Sequence, residues 1–202
     1  MASGFSRTTP YVASGFSRTE PYVASGFSRT GTSLARSCFV FPGHPERLRH
    51  FDYLGLHRYS LTFCTAHRER HFTDRAVVDL VRAQFLRAAT ESGVAIIAYC
   101  FMPDHVHLLI EAEHETSDCK QFMARAKQYS GFYYKQQFRT PLWQRYGFER
   151  VLRNEEATVA VARYILANPV RAGLVARVSD YPFLGSCVFS LDDMLEWIEE
   201  RS

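Results

Sequence analysis

Residues 100–112 read CFMPDHVHLLIEA, and the fold follows from how this stretch is taken. In an extended strand, side chains alternate between faces. His105 and His107 therefore leave one face at neighbouring positions, while Val106 and Leu108 point the other way into a core. Upstream, GVAIIAYCFM (93–102) is a second, nearly continuous apolar strand. Pro103-Asp104 makes a tight turn between them, so the two strands read as an antiparallel hairpin. Two imidazoles held side by side on a rigid strand make a good ligand pair for a divalent metal. A half-buried strand whose polar face simply carries two histidines would show the same pattern, so the pair alone leaves its role open.

On either side of the hairpin the periodicity is clear. RYSLTFCT (58–65) is rich in aromatic and β-branched residues and reads as a first strand. DRAVVDLVRAQFLRAATES (74–92) is an amphipathic helix with Asp74 as N-cap and Gly93 as its end. Its apolar stripe is Val77, Val78, Val81, Phe85 and Leu86. Asp118 to Phe138 is a second helix, basic and aromatic, with Phe122, Met123, Ala126, Tyr129 and Tyr133 spaced for the core. PLWQRYGFERVL (141–152) is a fourth strand. A third helix opens at Asn154, the expected cap, with two acids in its first turn. Pro169 has no N–H to give a helix interior, so this helix is expected to stop near Asn168. The order strand–helix–strand–strand–helix–strand–helix predicts an α+β fold: a ferredoxin-like (split βαβ) antiparallel sheet with helices packed on one face.

The chain divides into three parts. Residues 2–34 repeat with a period of eleven, as ASGFSRTTPYV, ASGFSRTEPYV and the decaying ASGFSRTGTSL. Gly, Ser, Thr and Pro dominate there and no helical or strand period holds, so 1–45 is expected to be a disordered tail with no activity of its own. Residues 46–190 form the ordered domain. Residues 191–202 make a short acidic amphipathic helix.

Composition narrows the function classes. A 202-residue chain that is 47% hydrophobic has enough apolar mass for one packed core. No apolar run approaches the ~20 residues needed to span a bilayer, so no membrane partner is expected. The N-terminus lacks the apolar core of a secretory signal. The cysteines are scattered with no CxxC pair, which points to a reduced, cytoplasmic setting rather than a zinc cage or disulfide framework. Charge is uneven: residues 120–177 hold eleven Lys/Arg against three acids, a net +8, and since the whole chain is +3 the remainder is −5. A basic third mixed with Tyr, Phe and Trp suits a nucleic-acid partner, although ordinary solvated helix faces would have the same composition.

The third helix carries Tyr164 and Asn168, four apart and so on one face. A tyrosine can act as a covalent nucleophile toward a phosphodiester, and an amide oxygen can ligate a hard divalent cation. Taken singly, Tyr164 also fits a rim tyrosine and Asn168 a helix C-cap. Together with His-x-His they resemble something more specific. AYCFMPDHVHLLIEA, LWQRYGFERVL, and ARYILANPVRAGLV followed by DYPFLGS resemble the REP-associated tyrosine transposases. These are relatives of the single-tyrosine transposases of small bacterial insertion sequences, within the His-hydrophobe-His (HUH) endonucleases. The resemblance runs in order from about residue 46 to 190.

Position by position, the resemblance implies that His105 and His107 are paired metal ligands and that Tyr164 is the nucleophile. It makes Asn168 the third ligand, where relatives from the insertion-sequence branch use glutamine. It implies Mg²⁺ or Mn²⁺ as cofactor and single-stranded or hairpin DNA as partner, with no nucleotide cofactor. The expected activity is cleavage and rejoining through a 5′-phosphotyrosine, at hairpin or palindromic repeats. A catalytically inactive nucleic-acid-binding domain of the same fold is the alternative. Lys127, Tyr133, Lys135, Trp143, Arg145, Arg150 and Arg163 form the expected DNA-contact set, with a packing role also open for Trp143. The protein would be nucleoid-associated when bound, and a monomer and a homodimer both suit the family.

Overall fold

The computed structural model describes residues 52–152 and 155–199. The eleven-residue repeats, the expected domain start near Pro45 and the expected cap Asn154 lie outside them. Strand β1 (Arg58–Thr65) buries Tyr59, Leu61, Phe63 and Thr65 and leaves the residues between half-exposed. Helix α1 (Arg75–Ser92) starts where the Asp74 carboxylate accepts the Ala76 N–H at 2.8 Å. It ends at Gly93, whose φ of 64° lies in the left-handed region where a Cβ would clash. Strands β2 (Val94–Met102) and β3 (His105–Ala112) form the expected hairpin, with Met102 opposite His105 and Cys100 opposite His107. Helix α2 (Cys119–Phe138) is capped by Asp118, which accepts the Gln121 N–H at 2.8 Å. Strand β4 (Trp143–Leu152), helix α3 (Glu155–Arg171), the two-residue strand β5 (Leu184–Gly185) and helix α4 (Leu191–Glu199) follow.

All five strands are antiparallel, in the order β4-β1-β3-β2-β5. The first four, with α1 after β1 and α2 after β3, are the split βαβ arrangement, so the α+β ferredoxin-like expectation holds. β5 adds a short edge inside DYPFLGS, too brief to carry a sequence period.

Helices α1 and α2 share one face of the sheet, over Leu61, Phe63, Ile96, Phe101, Val106 and Leu108. Helix α3 lies on the opposite face, over Ile97, Ala98, Cys100 and Leu109 of β2 and β3, so the expected packing of helices on one face is corrected: it holds for α1 and α2, while α3 covers the other side. The unbroken apolar run of β2 has its physical reason here: a strand covered on both faces has no polar side to show. A register shift between Ile96 and Ala98 turns both Ile97 and Ala98 toward α3. Over β1 and β4 that same face is more open, for Arg58, Ser60, Thr62 and Cys64 are half-exposed and Arg150 is exposed.

Three local expectations are corrected. Leu86 is 38% exposed, and the buried stripe of α1 continues through Ala88 and Ala89 instead. In α2 the core stripe is Phe122, Ala126, Ser130 and Tyr134, a strict four-residue spacing that leaves Tyr133 42% exposed. Helix α3 does not stop at Asn168 but runs through Pro169 to Arg171. Pro169 leaves the Ile165 carbonyl without its backbone N–H. The Asn168 side chain compensates, with Nδ2 3.0 Å from the Tyr164 carbonyl and 3.5 Å from that of Ile165. Beyond the proline, Ala172 donates to the Asn168 carbonyl at 2.9 Å and Leu174 to that of Pro169 at 2.9 Å, closing the last turn.

Candidate active site

Register sets the site. Cross-strand partners point to one side of a sheet, so Phe148, Thr62, His107 and Cys100 form a row across β4, β1, β3 and β2 on the face that carries α3. Cys64, His105 and Met102 form the next row. Both histidines thus stand where the part of this face covered by α3 meets its more open part. Their Nε2 atoms converge to 3.0 Å, with the rings perpendicular. Each ring is held from behind. The Asp104 carboxylate lies 2.6 Å from His105 Nδ1, and the Thr62 hydroxyl 2.9 Å from His107 Nδ1.

Electrostatics favour a neutral His107. Burial, with His105 and Arg68 adding to it, depresses the His107 imidazole from 6.5 to about 3, so the ring stays neutral. Burial alone would push Asp104 up. Its hydrogen bond to His105 and the Arg68 guanidinium, 3.0 Å from Oδ2, nonetheless hold the carboxyl below its ordinary value. Two ring nitrogens aimed at one point, with both Nδ1 atoms fixed by oxygen partners, suit a divalent cation. Among the described residues no three His, Cys, Asp or Glu side chains converge as a metal cluster. Further ligands would therefore come from an amide or from substrate oxygens. In Asn168, Nδ2 is turned back onto the carbonyls of Tyr164 and Ile165.

Helix α3 brings Tyr164 to the histidines of its own chain. The Tyr164 ring meets His107 edge to face at 6.0 Å between centroids. The Arg171 guanidinium, two turns on, lies 4.6 Å from the centre of the Tyr164 ring. The tyrosine, the two imidazoles and an exposed cation thus share one locality on the more open side of the sheet.

The family model for IS200-like transposases (Transposase IS200 like) matches residues 54–168, more than half of the chain and all of it from just before β1 to Asn168. The chain belongs to the IS200-like transposases. A curated relative, a REP-associated tyrosine transposase of Haemophilus influenzae, is 29% identical over 100 residues, 43% of this chain. The chain spans about half the length of that relative, 56% of it. A solved structure of a REP-associated tyrosine transposase bound to a REP hairpin shares the fold, with a TM-score of 0.58 and 21% identity over 67% of this chain and 79% of that one.

On this transposase fold the expected DNA-contact residues divide between the two faces. Lys127, Lys135, Trp143 and Arg145 line a shallow groove between α2 and β4, and Tyr133 is exposed nearby on α2. That groove lies on the α1–α2 side, away from the histidines. Arg150 sits on the histidine face of β4, opposite Ser60, and Arg163 directly precedes Tyr164 on α3. Trp143 is a packing residue: its ring stacks on Phe85 at 6.0 Å and meets Phe63 and Phe72, while Nε1 donates to Ser130 Oγ at 2.8 Å. Its stacking face is therefore taken up by the core, and only its edge reaches the groove. Lys127 reaches across to the carbonyls of Gln144 and Arg145, at 2.6 and 3.1 Å, and ties β4 to α2.

Thr62, Arg68, Asp104 and Arg171 were not singled out from sequence. Thr62 was legible in principle, since the alternation of Tyr59, Leu61 and Phe63 puts it on the other face. Arg68 lies in a turn between β1 and α1, and no sequence period marks it.

Proposed function

We propose that the chain is a divalent-metal-dependent, single-stranded DNA transposase that cuts and rejoins DNA through Tyr164. The observation that carries this reading is the convergence of His105 and His107 Nε2 at 3.0 Å, with the Tyr164 ring against His107. Mg²⁺ or Mn²⁺ is the cofactor, with His105, His107 and the Asn168 amide oxygen as its protein ligands. When bound, the cation polarises the scissile phosphate and offsets the charge that builds on its oxygens.

Tyr164 Oη attacks the phosphorus and loses its proton. The bond from phosphorus to the 3′ oxygen breaks, which leaves a 5′-phosphotyrosine and a free 3′-hydroxyl. The ester is conserved, so the 3′-hydroxyl of another end can attack the phosphotyrosine and restore the phenol without nucleotide hydrolysis. Asn168, one turn beyond Tyr164, lets one helix carry nucleophile and ligand together. Arg150, on the histidine face of β4, is the basic residue proposed to hold the strand there, and Arg163, next to Tyr164 in sequence, is proposed to join it. Lys135 and Arg145, with Tyr133 close by, would hold the flanking DNA on the other face, where an unpaired base stacked on an aromatic ring contributes ~1–3 kcal/mol.

A solved relative of this fold is bound to a REP hairpin. Hairpins with single-stranded flanks are the substrate class proposed here. The test is cleavage of such hairpins with Mn²⁺, beside the same sequence as blunt duplex. The reading expects nicking of the hairpin flank, abolished by chelator and by His105→Ala or His107→Ala, and affinity that falls with salt as counterion release becomes less favourable. Binding without any metal-dependent nicking would leave a nucleic-acid-binding domain and refute the enzyme.

A further inference from the structure

We propose that Arg68 is a positioning residue of the metal site, acting through Asp104 to fix the orientation and tautomer of His105. This inference rests on the metal reading above. A continuous line of contacts carries it. Arg68 Nε lies 3.0 Å from Asp104 Oδ2, Asp104 Oδ1 lies 2.6 Å from His105 Nδ1, and His105 Nε2 faces the point shared with His107. The two carboxylate oxygens divide the work, one facing the guanidinium and the other the imidazole. A carboxylate that accepts from Nδ1–H keeps the lone pair on Nε2, which is the atom a cation needs. The other arm of Arg68 donates to Cys64 Sγ at 2.8 Å, and Cys64 stands opposite His105 in the β1–β3 register. The planar fork is thereby fixed at two points on the rim of the site, a geometry that an ammonium would not reproduce.

The backbone supports this independently. His67 and Arg68 both have positive φ, 53° and 60°, in the turn after β1. Two successive non-glycine residues in the left-handed region are unfavourable for local stability, and such conformations persist where surrounding structure holds them for function. The conformation delivers the Arg68 side chain back over the end of β1 onto Asp104.

The test is Mn²⁺ titration of the full chain without DNA, followed by the electron paramagnetic resonance signal of free Mn²⁺, with thermal melting alongside. Arg68→Gly removes the guanidinium and relaxes the positive φ, and Arg68→Asn does so with a residue that also tolerates that region. Both are expected to weaken Mn²⁺ binding about 10–100-fold while the melting temperature holds or rises, with Arg68→Lys recovering part of the loss. Arg68→Gly added to Asp104→Asn should weaken binding no further than Asp104→Asn alone, because one acts through the other. Wild-type affinity in both Arg68→Gly and Arg68→Asn, or fully additive losses in the double variant, would overturn the proposal. A wild type that takes up no Mn²⁺, or that His105→Ala does not weaken, would overturn the metal reading and this inference with it.

Discussion

His105 and His107 are equivalent in the motif and unequal in the molecule. One is backed by a carboxylate within reach of a guanidinium, the other by a neutral hydroxyl. The difference has a measurable consequence in metal-free protein. Folded His107 stays neutral down to about pH 3, whereas an unfolded imidazole protonates near ~6.5. Between those values the unfolded state binds the additional proton, so stability falls as pH drops through this window and is regained above it. Chelator-treated wild type should therefore lose stability on acidification from about pH 6.5 more steeply than His107→Gln, by denaturant titration at several pH values. Equal slopes would contradict the burial assigned to this ring. The histidine pair was legible because both imidazoles lie within three residues of one strand. Their supports were not, because Thr62 reaches His107 only through the β1–β3 register and Arg68 reaches Asp104 only through a turn.

At the scale of elements, spacing and caps located α1, the β2–β3 hairpin and α2, since Asp74, Gly93 and Asp118 act locally. Sequence spacing was a poorer guide where one helix face met competing demands. In α2 the four-residue series that ends at Tyr134 won the core over Tyr133, because Tyr134 can place its ring on His71 and Phe138 while Tyr133 faces solvent beside Phe132. Helix α3 continues past its proline with the Asn168 amide lying against the carbonyls of Tyr164 and Ile165, a contact that no propensity scale contains. Strand β4 has a sharper constraint. A Cβ on Gly147 would lie 2.9 Å from the Phe63 ring and 3.1 Å from the Thr62 carbonyl. Phe63 is fixed by Phe85 and Trp143 and has little room to move. Gly147→Ala should thus destabilise the fold by ~1–3 kcal/mol, as overpacking does, read as a lower denaturation midpoint. Wild-type stability would mean that β4 lies farther from β1.

The molecule as a whole places its two kinds of residue on two faces of one sheet, with the histidine pair on the α3 face and a basic, aromatic groove beside α2. The sequence foretold the antiparallel sheet through the split βαβ pattern. It did not foretell the division between faces, because lysine and arginine content says nothing about which side of a strand a residue occupies. The family match begins at residue 54, beyond the eleven-residue repeats, which have no apolar period with which to join a core. Removing residues 1–34 should leave the melting temperature and hairpin nicking at wild-type values, and a clear fall in either would show that the repeats belong to the working unit. The central claim is that Tyr164 attacks DNA beside a metal held by His105 and His107. Its most direct test is peptide mapping of the covalent protein–DNA adduct formed on a hairpin substrate with Mn²⁺, in wild type and in Tyr164→Phe. The expected result is an adduct at Tyr164 alone, and none in Tyr164→Phe although that variant still binds Mn²⁺ and DNA. An adduct at Tyr129, Tyr133, Tyr134 or Tyr146, with Tyr164→Phe still cutting, would contradict it.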